Sequence, residues 1–459
     1  MPARSSSLPF PSADVPPAGV VSFEEARHLV EQHARNISSV GVESVDLLPA
    51  LGRVLAEAIT ADRDFPPFDR ATRDGYAVRA SDVAQVPARL EVVGELKAGG
   101  LPDPRVCVVG PRQAFAIMTG APLPVESDAV VMVEHTALVN QNRINQDNDD
   151  NTRQPDEQVE VLRSVNRGDN FVPRGSEARA GQPLLDRGHL LDHSALAIAA
   201  SVGKSRVQVF RRPRVAVLST GDELVEINET PGPAQIRNSN SYSLAAQVHL
   251  AGGEAVQLEI APDEPHRLRA LIEEGLGCDL LLLTGGVSMG KYDLVEQVLS
   301  ELNAEFYFTG ADIQPGRPVV FGSCRAGAPA RLLAAPPPST QPVPTLDRKY
   351  FFGLPGNPVS TMVTFELFAR PMIEALSGMK RKPLIFTRAR LKSEIRTKMG
   401  LKRFLPAILS GQFENAEVEL ARWQGSGDIA AMARSNCYVV IPPDRERIEA
   451  GEWVPLLMR

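Results

Sequence analysis

The stretch CDLLLLTGG at residues 278–286 decides the fold class of this chain. Its consecutive leucines are typical of a strand that is buried on both faces of a parallel sheet, and two glycines follow directly after it. RVAVLST at 214–220 and EAVQLEI at 254–260 have the same strand-like composition. Segments with helical periodicity lie between these strands, at 242–253 and 266–276. This alternation predicts a doubly wound α/β domain.

The same domain is expected to continue well beyond these segments. YDLVEQVLSEL at 292–302 has helical spacing, and the segment 350–376 predicts a strand, a tight turn and a long helix. The proline-rich run APPPSTQPVPT at 335–345 predicts a surface insertion before that strand. We therefore expect the α/β domain to span residues 211–380.

Short alternating runs on both sides of the α/β domain predict regions rich in β-structure. From residue 54 to 177 such runs are separated by glycine and proline, which predicts a β-rich module. Inside it, the polar, low-complexity run at 140–158 predicts an extended hairpin loop. Residues 381–459 return to short alternating runs and predict a small C-terminal β-barrel or sandwich.

Two helices and a tail are predicted outside these regions. Ser22, with Glu25 three residues later, forms a capping box that predicts a helix at its C-terminal side. HSALAIAASVG at 193–203 predicts a second helix, which Gly203 is placed to end. Residues 1–20 are rich in proline and serine and are expected to be a disordered tail.

Composition excludes several classes of function. The formal net charge is -7 and there is no long basic run, so we expect no binding to nucleic acid. The four cysteines are scattered, which is typical of a reduced cytoplasmic protein and argues against a structural zinc site. The N-terminus lacks the apolar core of a signal peptide, and the leucine run at 280–283 is too short to cross a bilayer. We therefore expect a soluble cytoplasmic protein without membrane contact.

Glycine-rich turns follow three of the predicted strands. They are Gly221-Asp222-Glu223, the segment from Gly285 to Gly290, and Pro355-Gly356-Asn357-Pro358. In open α/β sheets, ligands bind beyond the carboxyl ends of the strands, and glycine lets backbone N–H groups approach a ligand closely. Asn357 as a helix cap, with Pro358 as the first helical residue, also predicts an anion site. A single turn of this kind is often only a tight turn, but three at one sheet edge predict a binding pocket.

Carboxylates accompany these turns. Asp222, Glu223, Asp263 and Asp293 all fall at or just after predicted strand ends, although Asp263 could be no more than a helix cap. Several carboxylates around an anion pocket would repel a phosphate unless a divalent cation bridged them, and Mg²⁺ is bound in this way. The residues alone therefore predict metal-assisted phosphate chemistry on a nucleotide or a similar ester. No Walker-type phosphate loop occurs in the sequence.

Two further clusters lie in the N-terminal half, at 66–77 and 118–122. The first combines turn-forming residues with two acids and an aromatic ring, and the second places the hydroxyl of Thr119 in a tight turn. Taken alone, both are more simply explained as loop architecture.

Five motifs occur together and resemble those of the molybdopterin molybdenumtransferase family, whose eukaryotic relative is the E-domain of gephyrin. The motifs are PPFDRATRDGYA (66–77), MTGAP (118–122), STGDEL (219–224), TGGVSMGKYD (284–293) and LPGNPVS (354–360). The resemblance runs from about residue 22 to the C-terminus. It implies a multidomain α/β plus β fold, with an elongated linking domain built from residues 21–53 and 178–210. It also implies an elongated homodimer whose active site lies between the α/β domain of one subunit and the β-rich module of the other.

The resemblance further implies a reaction and its residues. Molybdate would be inserted into adenylylated molybdopterin, with Mg²⁺ near the phosphates and release of AMP. The implied catalytic positions are Asp74, Thr119, Asp263 and Asp293, and the implied metal ligands are Glu223 and Asp293. Implied substrate contacts are Gly221, Asp222, Asn238, Ser239, Asn240, Gly285, Gly286, Ser288, Pro355, Gly356 and Asn357. Implied oxyanion contacts are Arg317, Arg403 and Ser426.

Two departures from the family pattern leave other functions open. The family usually has Lys-Pro-Gly-Lys-Pro where this chain has Gln314-Pro315-Gly316-Arg317-Pro318, and Gly-Glu-Asp where it has Gly175-Ser176-Glu177. Arg317 keeps one positive charge but Gln314 does not, so on sequence alone Gln314→Lys is expected to lower the molybdate requirement. A tungstate-preferring paralogue and a non-catalytic scaffold or chaperone are the alternatives. An adenylyltransferase acting one step earlier is disfavoured, because the flanking domains are present.

Overall fold

The computed structural model describes residues 19–100, 103, 105–139, 157–286, 294–325, 348–380, 383–422 and 424–459. Contacts between Cα atoms divide the chain into two units. One unit comprises the described parts of Met1–Glu57, Arg187–Leu196 and Arg206–Arg459, and the other comprises those of Ala58–Asp186 and Ala197–Ser205. The domain boundaries expected from the sequence stay a prediction.

The first unit contains a six-stranded mixed sheet. In spatial order its strands are Glu254–Gln257, Arg214–Ser219, Leu280–Thr284, Arg348–Leu354, Val320–Arg325 and Glu305–Phe308. The first four are parallel to one another. Val320–Arg325 runs antiparallel to both of its neighbours, Arg348–Leu354 and Glu305–Phe308. The α/β prediction is confirmed, with two further strands at one edge, of which Val320–Arg325 alone runs opposite to the other five strands of this sheet. The EAVQLEI segment was expected to be buried on both faces, and this is wrong, because Glu254–Gln257 is the other edge strand and is only partly buried.

Alternate residues of the central strands pack on opposite faces of this sheet. Val215 and Val217 belong to one apolar core, and their neighbours Ala216 and Leu218 belong to another. The helices Phe23–Arg35, Ser239–Leu250, Pro358–Thr364 and Arg370–Leu376 cover the first face. The helices Pro265–Gly275 and Leu294–Glu301 cover the second. The sheet is therefore covered on both faces, as the doubly wound prediction requires.

The long helix expected after Pro358 contains a π-helical turn. Pro358–Thr364 and Arg370–Leu376 are α-helical, and Phe365–Ala369 between them is a π-helix. The buried guanidinium of Arg27 donates a hydrogen bond to the carbonyl of Leu367 inside this turn. A contact from a distant helix supports the wide turn, and no local sequence signal for it is evident.

The N-terminal helix has the predicted cap. Ser22 Oγ accepts a hydrogen bond from the Glu25 amide at 3.1 Å, which confirms the start of the helix. The helix His193–Ser201 is followed by Gly203 with φ 75°, as predicted. Val20–Val21 pairs with Gly310–Ala311, and Val42–Asp46 pairs with Arg206–Phe210. The predicted tail lies outside the described residues as far as residue 18.

The second unit is β-rich, as predicted. Its six-stranded sheet has the order Ala129–Met132, Gly75–Val78, Gln113–Ile117, Ala88–Leu96, Gln158–Val161 and Thr136–Val139. Val139 pairs with Gln158, so the strands on both sides of the asparagine-rich run form the expected hairpin. The connecting residues 140–156 lie outside the described residues. Shorter pairs join Arg70–Ala71 to Phe171–Val172, and Ile59–Thr60 to Pro183–Leu185.

The C-terminal strands close into a five-stranded barrel, which decides between the two predicted architectures. Its strands are Phe386–Leu391, Lys402–Ser410, Glu417–Leu420, Cys437–Ile441 and Trp453–Met458. The pairing of Lys402–Ser410 with Cys437–Ile441 closes the ring. Ile313–Gln314 adds to Lys402–Ser410 as a parallel strand.

Short elements complete the described residues. They are the 3₁₀-helices Leu48–Ala50, Ala80–Val83, Val133–His135 and Phe413–Asn415, the α-helix Ile429–Arg434, and the strand pairs Leu224–Val225 with Ile236–Arg237 and Ile395–Arg396 with Arg447–Ile448. Within the described ranges, none of the helices has the length and apolar composition needed to cross a bilayer. The predicted proline-rich insertion at 335–345 lies outside these ranges.

Candidate active site

A pocket of about 700 Å³ opens at the carboxyl ends of the parallel strands. The turns after three strands line it, those that follow Ser219, Thr284 and Leu354. Its lining includes eight of the predicted positions: Glu223, Asn238, Ser239, Asn240, Gly285, Gly286, Gly356 and Asn357. The sequence-based expectation of a pocket at this edge therefore agrees with the geometry. The roles of the individual residues stay predictions.

Glycine at 285 and 286 is required by backbone geometry. Their φ angles are 91° and 63°, in the left-handed region that other residues rarely adopt. A Cβ atom at Gly285 would lie 2.3 Å from the carbonyl oxygen of Thr220. The two strand ends therefore approach each other too closely for any side chain at this position.

Asparagine side chains connect the three turns. Asn240 Nδ2 donates hydrogen bonds to Thr284 Oγ1 at 3.0 Å and to the Gly356 carbonyl at 2.8 Å. Asn238 Oδ1 accepts from Ser219 Oγ at 3.0 Å and from the Ser241 amide at 3.2 Å, so Asn238 caps the helix Ser239–Leu250. Both residues have a structural function that fixes the shape of the pocket.

Two polar atoms in the pocket are left without a partner. Among the described residues, Asn240 Oδ1 and Thr220 Oγ1 are buried and make no hydrogen bond. A buried polar atom without a partner costs about 1–3 kcal/mol, so such atoms are uncommon unless a ligand or water completes them. Both residues line the pocket, so these two atoms are the observation that most directly indicates that the pocket binds a ligand.

Three carboxylates lie near one another beside the pocket. Asp222 Oδ1 accepts a hydrogen bond from the Asp263 amide at 3.1 Å. Burial raises the pKa of Asp263, and the charges of Asp222 and Glu223 raise it further. The described residues contain no group of three or more histidine, cysteine or acidic side chains arranged to hold a metal ion. Asp293 and Ser288, which belong to the predicted site, lie outside the described ranges.

The predicted oxyanion residues differ in their surroundings. Arg317 is about half-exposed and forms an ion pair with Asp312 at 3.3 Å. Arg403 is buried, and its Nε donates to Gln314 Oε1 at 2.8 Å. The carbonyl of Ser426 accepts from the Val359 amide at 2.9 Å, which joins the 424–427 turn to the helix that begins at Pro358.

Asp74 and Thr119 are brought together in the β-rich unit. Asp74 Oδ1 accepts from the Thr119 amide at 2.6 Å and from Thr119 Oγ1 at 2.8 Å. These two hydrogen bonds, the backbone one first, lower the pKa of Asp74. Both side chains are exposed, so Asp74 is an ionised carboxylate that completes the turn at Thr119. Their predicted catalytic roles stay predictions.

Several pocket residues were missed by sequence reasoning. They are Thr220, Leu224, Ile236, Arg237, Thr284, Gly427 and Ile429. The hydroxyl residues Thr220 and Thr284 each occupy the strand end next to a glycine, and that position could have identified them. Arg237 directly precedes the polar run at 238–240, and a cation beside a predicted anion pocket is a usable signal.

The resemblance inferred from the motifs is confirmed by comparison with known families. Residues 21–203 match the MoeA N-terminal region (domain I and II), residues 216–375 match a probable molybdopterin binding domain, and residues 388–458 match the MoeA C-terminal region (domain IV). A molybdopterin molybdenumtransferase from Nostoc sp. is 32% identical, covering 92% of this chain and 89% of the relative. One from Bacillus subtilis is 31% identical, covering 91% and 89%.

Solved structures agree with this assignment. A molybdopterin biosynthesis MoeA protein from Pyrococcus horikoshii has a TM-score of 0.66 at 31% identity and covers 96% of this chain and 99% of its own. A second structure, from Pyrococcus horikoshii OT3, has a TM-score of 0.72 at 27% identity and covers 96% and 100%. The similarity therefore extends over both units and over nearly the whole length of each chain. This chain belongs to the molybdopterin molybdenumtransferase family.

Proposed function

We propose that this chain is a molybdopterin molybdenumtransferase, which inserts molybdenum from molybdate into molybdopterin. The observation that carries the proposal is the pocket at the carboxyl edge of the sheet, with the unpartnered Asn240 Oδ1 and Thr220 Oγ1 on its wall. A pocket of about 700 Å³ is large enough for a pterin with a phosphate substituent. The related enzymes named above support this substrate class.

The specific substrate that we propose is molybdopterin whose phosphate carries an adenylyl group, with AMP as the leaving group. Gly285 and Gly286 line the pocket without a side chain that would fill it, and Asn240 and Thr220 supply polar atoms for the oxygens and nitrogens of the substrate. Arg237 lines the same pocket and has no ion pair within the described residues, so it is available to a phosphate. Together these groups would bind and orient the phosphoanhydride for cleavage.

Mg²⁺ is the proposed cofactor. Burial raises the pKa of Asp263, and the charges of Asp222 and Glu223 raise it further, which places three carboxylates near one another. Carboxylate oxygens are ligands that suit a divalent cation. Glu223 lines the pocket, and we propose that it holds Mg²⁺ together with Asp293. When bound, Mg²⁺ would neutralise charge on the phosphates. Asp222 would keep the turn in place through its hydrogen bond with the Asp263 amide.

The remaining proposals concern molybdate, assembly and location. We propose that molybdate binds at Arg317, Arg403 and Ser426, and that Asp74 and Thr119 contribute to the reaction. We also propose a homodimer in the cytoplasm, as the resemblance implies. Size-exclusion chromatography with light scattering would test the assembly independently of activity, since a monomer at working concentration would contradict it.

The reaction is tested by incubating the purified chain with adenylylated molybdopterin and Mg²⁺, with and without molybdate, and by measuring AMP. We expect molybdate-dependent release of AMP. Release only with tungstate would indicate the tungstate-preferring alternative. Tight binding of the adenylylated pterin without release under either condition would contradict the enzymatic proposal and support the scaffold.

Thr220→Val tests whether the substrate of that reaction binds in the pocket. The substitution keeps the side-chain shape and removes the unpartnered hydroxyl, so we expect about tenfold weaker binding of the adenylylated pterin with little change in stability. Thr387→Val is the matched control, because Thr387 is exposed on the barrel strand Phe386–Leu391. Equal affinities for the two variants would show that the ligand does not use Thr220.

A further inference from the structure

Arg403 is a buried cation without a counterion. Its residue is 6% exposed, and it forms no ion pair with any carboxylate in the described ranges. Its hydrogen bonds go to neutral oxygens instead, from Nε to Gln314 Oε1 at 2.8 Å and from Nη1 to the Leu401 carbonyl at 3.0 Å. A cation whose hydrogen bonds within the fold go only to neutral oxygens keeps its charge available to bind an anion.

Gln314 determines how the guanidinium of Arg403 is held. A guanidinium can only donate, so the Gln314 atom that faces it must be the carbonyl oxygen. The strand pairing places Ile313 opposite Lys402 and Gln314 opposite Arg403, which fixes the two residues side by side. Nε and Nη1 both donate to protein oxygens, whereas Nη2 forms no hydrogen bond with any of the described residues. The outer amino group is therefore left for a ligand.

The turn that carries Gln314 packs against the helix that begins at the pocket. A Cβ atom at Gly316 would lie 2.3 Å from Thr364 Cγ2 and 3.5 Å from the Ser360 carbonyl, so this turn contacts Pro358–Thr364 directly. Pro358 itself lines the pocket, and the Val359 amide is bonded to the Ser426 carbonyl. Gln314 thus belongs to the segment that supports the same wall of the pocket.

We propose that Gln314 is a positioning residue that holds Arg403 for a tetrahedral oxyanion. This inference rests on the proposed function, in which the oxyanion is molybdate. At this position the chain has an uncharged hydrogen-bond acceptor for the guanidinium. A lysine at 314 would remove the acceptor and place an ammonium group beside the guanidinium, so like charges would repel. Gln314→Lys should therefore weaken oxyanion binding, which is the opposite of the expectation from sequence alone.

The experiment titrates molybdate into the full-length chain without pterin and measures heat by calorimetry. Gln314→Met keeps the length of the side chain and removes the acceptor, and we expect about tenfold weaker molybdate binding because the lost bond is charge-assisted. Gln314→Lys should weaken binding by at least as much. Gln412→Met makes the same change at an exposed barrel position and should bind molybdate as the parent chain does.

A double-mutant cycle separates positioning from a general structural effect. In an Arg403→Ala background, Gln314→Met should change molybdate affinity by less than about twofold, because the group it positions is gone. If Arg403→Ala does not fold, as judged by thermal melting, Arg403→Lys replaces it, since lysine cannot make the same two-point contact. An equal loss with and without Arg403, tighter binding by Gln314→Lys, or no oxyanion binding by the parent chain would each overturn the proposal.

Failure of this inference is distinguishable from failure of the proposed function. The parent chain could release AMP in a molybdate-dependent reaction while both Gln314 variants bind molybdate as the parent does. This result would contradict the positioning role and leave the proposed function intact. Coupled oxyanion binding by Gln314 and Arg403 without any AMP release would keep the positioning role and remove the enzymatic one.

Discussion

Polar side chains of the pocket and of the Asp74 turn differ in how many of their possible hydrogen bonds are formed within the protein. Asn240 uses both amide hydrogens to join two turns, and its oxygen remains buried without a partner. Asp74 is exposed, and its carboxylate already accepts two hydrogen bonds from Thr119. In the pocket, a ligand could supply the hydrogen bond that Asn240 Oδ1 lacks. The Asp74 turn is complete, so a catalytic role for Asp74 has to be shown by activity.

His33, like Asp74, makes its contacts within the fold, although it is more buried than Asp74. Its ring stacks on Tyr307 with centroids 3.9 Å apart, and Nδ1 lies 3.3 Å from the Tyr350 hydroxyl. Because these contacts are with the aromatic residues Tyr307 and Tyr350 and His33 does not line the pocket, we expect changes at His33 to affect stability and not ligand binding. Substitutions at the two kinds of residue should therefore differ in their effects on ligand binding and on stability.

Gly285→Ala should have the largest effect. The residue has φ 91° and its new Cβ would overlap the Thr220 carbonyl, so both backbone strain and a clash with backbone are introduced. We expect a loss of at least about 2 kcal/mol in the free energy of unfolding, and loss of AMP release. Gly52→Ala is the matched control, because Gly52 has φ 73° and open space around its Cβ position. It should cost only about 1 kcal/mol by urea denaturation. Equal costs for the two variants would contradict the close approach of the strand ends.

Asn240→Asp should mainly reduce substrate binding. The new carboxylate cannot donate to Thr284 Oγ1 or to the Gly356 carbonyl, and it adds a negative charge to a pocket that already contains Glu223. We expect the affinity for adenylylated molybdopterin to fall by about 10- to 100-fold in equilibrium binding. Asn436→Asp in the barrel serves as the control for the same chemical change away from the pocket. Unchanged pterin affinity in Asn240→Asp would remove Asn240 from the binding site.

Much of the fold and of the pocket could be predicted because the signals are local. Buried strands such as Leu280–Thr284 have continuous apolar runs, and the glycines after them are required by local backbone angles. Ser22 and Gly203 mark helix ends for equally local reasons. The three turns could be placed at one edge of the sheet because parallel strands end on the same side. The roles of the individual site residues remain predictions.

What the sequence did not predict depends on contacts between distant segments. Gln314 looked like a lost positive charge, and only the pairing with Arg403, 89 residues away in the chain, gives its amide a function. The π-helical turn at Phe365–Ala369 is supported by Arg27 from the N-terminal helix. The edge position of Glu254–Gln257 follows from strand order, which composition does not encode. In each case the decisive partner is a residue that no local pattern identifies.

His33→Phe should flatten the pH dependence of stability. Burial lowers the pKa of His33, and the nearby Arg348 lowers it further against the opposing charge of Glu305. A histidine with a lowered folded pKa stabilises the protein above its unfolded value of about 6.5, and that contribution is lost as the pH falls below it. Phenylalanine keeps the ring stack on Tyr307 and cannot be protonated. Between pH 7.5 and 5 the parent should therefore lose up to about 1 kcal/mol more than the variant, since the site is partly screened by solvent. Parallel stability curves by urea denaturation would contradict this, and AMP release at pH 7.5 should be unchanged.

Asp74→Asn should have the smallest effect on stability. It tests whether Asp74, whose hydrogen bonds with Thr119 complete a turn, also takes part in the reaction. Asparagine keeps an oxygen that can accept from Thr119, so the turn persists, and the melting temperature should fall by less than in Gly52→Ala. The lost negative charge is the only large chemical change. If Asp74 completes a turn and no more, AMP release will match that of the parent chain. The family resemblance predicts the other result, a large decrease in the rate of AMP release with stability preserved. That outcome would show that an exposed carboxylate that already accepts two hydrogen bonds acts in the reaction. Missing hydrogen bonds within one chain would then be an insufficient guide to the residues that function in this family.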